Sequence, residues 1–192
     1  MTFRFSRRRL GAGLAALALS LAAPAWPQAL PNVYRVELVI FRNAGFKTDE
    51  NLDAPAEGRG FEDGNTNGQP PKVIKVLGPD AAQLGGVANK LRASGYQVLG
   101  HAIWTQTATN WPTHLGVDLA DVGITNPELS GQVFVERGTL LHMGVNLSLG
   151  KGPTYRLSEL RRVKFNEKQY FDHPAFGVIA IVSQAGRADP GP

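Results

Sequence analysis

The ten residues Val33–Arg42, VYRVELVIFR, decide the fold. Tyr34, Val36, Leu38 and Ile40 recur at every second position, the period of a strand that buries one face. Val39 and Phe41 add apolar weight at the alternate positions, so the strand is expected to be covered on both faces, at the centre of a sheet. Downstream, Asn43 to Pro71 is rich in Gly, Pro, Asn, Asp and Glu and has little periodicity. A connection of that length inside one domain reads as a mobile or functional loop.

Asp80 to Ala93 carries the one strong helical pattern. Pro79 and Asp80 open it, Leu84, Val87, Ala88 and Leu91 share a face, and Ser94-Gly95 closes it. Gly85-Gly86 weakens it by about 1 kcal/mol per glycine, so the helix is expected to depend on packing against a sheet. Tyr96 to Gln106 reads as a strand and Thr107 to Leu129 as a second irregular stretch.

From Gly131 to Leu149, two alternating runs flank Glu136-Arg137-Gly138, a three-residue loop with glycine in its third position. That loop would pair Val133 with Leu141 and Gly131 with Met143, with both apolar sets on one face. Tyr155 to Val163 and Lys168 to His173 alternate around Phe165-Asn166-Glu167-Lys168, a second hairpin signature, and Phe176 to Ser183 is a last buried strand. Strand, helix and strand followed by hairpins define an α+β domain: a largely antiparallel β-sheet with one main helix packed on a face. Its expected limits are residues 30–184, with the irregular loop at 43–71 and a frayed tail at 185–192.

Residues 1–29 read as a cleaved signal peptide. Four arginines precede Leu10 to Ala23, an apolar and small run too short to span a bilayer, and Ala23-Pro24-Ala25 and Ala29 supply small residues for cleavage. Pro24 and Pro27 argue against an uncleaved membrane anchor. Ser6-Arg7-Arg8 has a twin-arginine flavour, but a general secretory leader is the plainer reading. The expected destination is the periplasm, without stable membrane insertion of the mature chain. The 20 Lys plus Arg of the chain, less the four leader arginines, leave 16 against 16 Asp plus Glu. A balanced domain gives no support to nucleic-acid binding. With no cysteine in the chain there is no disulfide, thiol nucleophile or lipidation site.

Other signatures fail on inspection. Gly144 to Lys151 is one residue too long for a phosphate loop and has Gly152 where Ser or Thr must bind magnesium. His101, His114, His142 and His173 show no metal-ligand spacing, so no metal or cofactor is expected. No Gly-x-Ser-x-Gly elbow occurs.

The densest functional chemistry lies in Tyr155 to Gly177, YRLSELRRVKFNEKQYFDHPAFG. A hairpin there places Arg161 or Arg162, according to the turn length, opposite Asp172 as a structural pair. The other arginine is left beside Tyr155, Tyr170 and His173. A planar donor fork next to exposed rings suits carboxylates and sugars, which peptidoglycan offers together. YRVELVIFRN, LSGQVFVERGTLLHMGVNLSL and YRLSELRRVKFNEKQYFDHPAFGVIAIV together resemble the CsiV family of periplasmic peptidoglycan-binding proteins. The arginine pair followed by Asp-His-Pro-x-Phe-Gly is the most specific part of the likeness, and the long loop has no counterpart in it.

The resemblance implies a non-catalytic protein that supports cell-wall synthesis in a Gram-negative envelope. Its partner would be peptidoglycan, or a cell-wall synthase or the activator of one. An envelope assembly factor without wall binding is one alternative. A wall hydrolase is another, with Glu159 as a partly buried acid and Asp172 or Glu136 as its second carboxylate. Against that, Glu159 and Arg161 share a strand face and can simply pair.

Overall fold

The computed structural model describes residues 33–45, 68–151 and 154–185. The expected signal peptide, most of the long loop and the tail beyond Ala185 lie outside these residues. The ten strands fall into two sheets. In the first, β1 (Val33–Arg42) is central, in the order β2 (Val73–Val76), β3 (Gln97–Thr107), β1, β10 (Phe176–Gln184), β9 (Lys168–His173). In the second, the order is β4 (Thr109–Asn110), β6 (Leu129–Arg137), β7 (Leu141–Leu149), β8 (Tyr155–Arg162), and the short β5 (Val117–Asp118) also pairs with β6. Every pairing is antiparallel except β4 with β6. With one main helix, α1 (Gly85–Ala93), the fold is the expected α+β type.

Both faces of β1 are covered. Tyr34, Val36, Leu38 and Ile40 join Trp104, Phe171 and Val178 of the first sheet and Val133, Val135, Met143 and Val145 of the second in one core. The sheets therefore pack face to face. On the other side of β1, Val39 meets Leu84, Ala88 and Ile181, with Val87 and Leu91 beside them. This is the helical face expected from the sequence, laid on the outer surface of the first sheet.

The helix starts later than Asp80. Pro79–Ala81 is a separate 3-10 turn, Ala82 is extended at φ −71° and ψ 128°, and α1 begins at Gly85. The cause is Glu37 on β1, which is 1% exposed. Its carboxylate accepts the backbone N–H groups of Gln83 at 2.7 Å and Leu84 at 2.8 Å. His101 Nε2 lies 2.8 Å from the same carboxylate and Arg35 lies at 3.7 Å. The amides that a longer helix would turn inward are thus held by a carboxylate across the sheet.

The β6–β7 hairpin keeps the expected face but not the expected register. Its loop is Gly138-Thr139-Leu140, Arg137 faces Leu141, and Val133 and Gly131 face Val145 and Leu147. The slip is by an even number of residues, so the apolar sets still share the core face. Glu136 is not a turn residue. It is fully buried on the outer face of the second sheet, where its carboxylate accepts the N–H of His114 and lies 3.5 Å from Thr113 Oγ1. Those bonds draw β6 out to Arg137 before it turns.

The second expected hairpin is corrected more deeply. A turn does occur at Asn166, which is left-handed at φ 60°, but β8 pairs with β7 in the second sheet and β9 with β10 in the first. The segment between them is a corner joining the two sheets. Neither arginine is therefore paired with Asp172. Arg161 sits opposite Met143, Arg162 opposite His142 and Asp172 opposite Gly177.

Candidate functional site

The five side chains expected to form one site are distributed over four places. Arg161 turns toward the core, bonds the carboxylate of Glu159 and lies over the buried Phe171 ring at 4.6 Å from its centroid. Arg162 is exposed on the outer face of the second sheet. There its charge, after burial, helps hold the neighbouring His142 below the usual imidazole value. Trp111 stacks on His142 at 3.8 Å. Tyr155 and His173 do meet, with ring centroids 5.8 Å apart, at the end of the sandwich beside Phe176. Burial holds His173 below its ordinary value despite the Asp172 charge, and its Nδ1 accepts the N–H of Ala175 at 3.0 Å.

Tyr170 lies elsewhere, on the outer face of the first sheet, where it borders a groove. This groove of about 470 Å³ runs between α1 and the edge strand β9, lined by Phe41, Leu91, Tyr96, Tyr170, Asp172 and Ile179. Phe41 comes from the end of β1, and Tyr96 follows the helix, tied back by its N–H to Leu91 O at 3.0 Å. Phe41 and Tyr170 stack nearly parallel at 6.3 Å, and Tyr96 meets Phe41 edge-on at 5.5 Å. Gly177 makes this possible, since a Cβ there would lie 2.8 Å from Phe41 Cζ and 3.0 Å from Tyr170 Cε2. The rings therefore lie flat on the strand.

One rim of the groove is polar. The Tyr170 hydroxyl donates to Asp172 Oδ1 at 2.7 Å. Burial first, then the bond to Asp172 and its charge, push that hydroxyl up to about 12, so it stays a donor at neutral pH. Tyr170 is nonetheless 46% exposed. The exposed Tyr170 ring, supported from behind by the buried Phe41 and with a carboxylate at its edge, can receive a ligand that is apolar on one face and hydroxyl-bearing at its rim, which is the chemistry of a pyranose.

The carboxylates of the hydrolase alternative do not converge. By strand register Glu159 faces the core side of the second sheet and Glu136 its outer side, while Asp172 belongs to the outer face of the first sheet. Glu159 is taken by Arg161. Burial pushes the Glu136 carboxyl up, and its bonds to the His114 and Thr113 segment partly offset this. Among the described residues no group of three or more His, Cys, Asp or Glu could hold a metal. Nor is any helix among them long and apolar enough to cross a membrane.

The sequence pattern points to Tyr170 as an exposed ring but to Asp172 as an arginine's structural partner, and it does not point to Phe41 or Tyr96. The signal available was Gly177 inside a buried strand, which marks the close approach of another group. The chain has no match among protein-family models, curated proteins or solved structures.

Proposed function

We propose that the protein is a non-catalytic periplasmic protein that binds the glycan of peptidoglycan and supports cell-wall synthesis. The observation that carries this reading is the exposed Tyr170 ring, backed by the buried Phe41 and flanked by Tyr96, with Asp172 at its rim. A sugar laid on the Tyr170 ring buries its C–H face, and its hydroxyls donate to the carboxylate. The likeness of three segments to the CsiV family supports the same reading, as does the leader-like N-terminus.

The test is cosedimentation with purified sacculi. The wild-type protein should pellet with them, while Tyr170→Ala should weaken binding by about tenfold, the worth of one aromatic contact. Asp172→Asn should weaken it as well. Wild-type protein that stays in the supernatant at both low and moderate salt would overturn direct wall binding.

A second reading is an assembly factor that touches other envelope proteins without binding the wall. One observation favours it: Ile74 and Val76, on the edge strand β2, are 46% and 47% exposed. An open strand edge with apolar side chains suits addition of a partner strand. Substituting both residues by threonine separates the readings, because wall binding at the groove should not change.

A further inference from the structure

We propose that a second cavity, at the open end between the two sheets, is a carboxylate-binding site built around Arg137. The cavity measures about 570 Å³ and is lined by Tyr34, Gln69, Thr107, Thr109, Asn110 and Arg137, with no acidic residue among the described residues of its wall. It lies where the chain passes from β3 to β4, so β4 and the last residue of β6 form one side. Asn110 pairs with Arg137 across the two strands, and Trp111 N–H bonds Arg137 O at 3.2 Å.

One feature of the wall is incomplete without a ligand. Arg137 is half-buried, and among the described residues its guanidinium has neither an ion pair nor a side-chain hydrogen bond. By strand register it shares a face with Asn110, which also lines the cavity. A cation partly withdrawn from water without a counter-charge costs free energy. A bridging water would not supply that charge, and no acidic residue among the described residues lines the cavity.

The tyrosine completes the donor set. Burial raises the Tyr34 hydroxyl above its ordinary value, and the Arg137 charge only partly offsets this. It is therefore protonated at neutral pH. One guanidinium balances one negative charge, and its planar fork matches the two oxygens of a carboxylate. A phosphate dianion would call for a second cation. The volume admits a ligand of amino-acid to dipeptide size.

In the wall, such a carboxylate ends the stem peptide or hangs from the muramic acid sugar. That choice of probes rests on the proposed function, but the site itself does not. The purified protein is titrated with N-acetyl-D-alanyl-D-alanine, its C-terminal amide, N-acetylmuramic acid and N-acetylglucosamine, and backbone amide resonances are followed by NMR. At least one acid should bind and shift Thr107 to Asn110 and Arg137. Its neutral counterpart should bind at least about tenfold more weakly, the worth of one charge-assisted bond.

Arg137→Gln should lose a similar factor, with melting curves confirming that the variant folds. If Arg137→Gln does not fold, the acid–amide comparison still decides. Equal binding of acid and amide, shifts confined to another face, or no acid binding at ~10 mM would overturn the site. Tyr170→Ala should leave acid binding unchanged. Acid binding without sedimentation on sacculi would remove the wall reading alone; sedimentation without acid binding would remove the cavity alone.

Discussion

Replacing Glu37 by alanine should be among the most damaging single changes on the outer face of the first sheet. The carboxylate accepts Gln83 N–H and Leu84 N–H at 2.7 and 2.8 Å, with His101 Nε2 at 2.8 Å. Leu84 is fully buried, so its N–H would be left without a partner at a cost of about 1–3 kcal/mol. Gln83 is exposed and water can replace its bond, leaving the ordinary loss of a helix cap, about 1 kcal/mol. Together with the deserted His101, the expected loss is about 3 kcal/mol. For a domain of this size that corresponds to a melting temperature lower by roughly 6–12 °C.

Glu37→Gln should fall between wild type and alanine, since an amide keeps one acceptor but turns a donor toward a donor. Circular dichroism melts give the stability. Hydrogen exchange locates the effect, which should be concentrated at Val87 and Ala88, whose amides bond Leu84 O in the first turn. A shift of less than about 2 °C in Glu37→Ala, or faster exchange spread evenly over the domain, would refute the assignment of Glu37 as the anchor of the helix.

Among the described residues Asp172 bonds only the neighbouring Tyr170 hydroxyl, on an exposed face, so Asp172→Ala should cost less than about 1 kcal/mol in melts, and a larger loss would reveal a further partner. The arginines should split: Arg161→Ala loses both Glu159 and the Phe171 ring, about 1–2 kcal/mol, while Arg162→Ala stays within about 0.5 kcal/mol, and equal effects would contradict the two-sheet placement. Burial holds His142 and His173 below 6.5, so the unfolded chain takes up their protons first and stability is lost as pH falls through about 6.5. Glu136, raised above 4.5 by burial, acts with the opposite sign, gaining stability on protonation as pH falls through its raised value. The His142→Asn, His173→Asn double variant should therefore show a shallower loss than wild type between about pH 7 and pH 5, and identical slopes would refute this. Gly131 sits at φ 125° with the Asn146 carbonyl where a Cβ would stand, so Gly131→Ala should cost about 3 kcal/mol or more, and a near-neutral melt would show that β6 and β7 can part there.

Local pattern was informative wherever one face of one element decided the outcome. Val39 and Phe41 announced the second buried face of β1, and Leu84, Val87, Ala88 and Leu91 announced what would cover it. It failed where a distant group intervened. Glu136 reads as a turn residue because charge favours loops, and nothing nearby shows that the backbone of His114 will satisfy it. The turn at Asn166 is legible, but alternation on both sides is the same whether the strands pair or separate into different sheets. The candidate site suffered likewise. Residues near in sequence, from Tyr155 to His173, were read as near in space, whereas the groove gathers Phe41, Tyr96 and Tyr170 from three separate elements.

The pairing of β1 with β10 bears on how the chain acquires its shape. Tyr34 faces Gln184 and Arg42 faces Phe176, so the centre of the first sheet is made from the two ends of the described chain. A chain that emerges from a pore N-terminus first presents β1 long before its partner exists, and long-range pairing of this kind is slow to form. Until Phe176–Gln184 arrives, Val36, Leu38 and Ile40 have an open strand edge beside them, the situation in which a chaperone matters most. Linking Ala185 to Val33, whose backbones already touch through a 3.1 Å bond, and opening the chain elsewhere would turn this last contact into a local one. Such a permutant should refold faster than the natural order, and an unchanged rate would mean that the second sheet, not the first, sets the pace of folding.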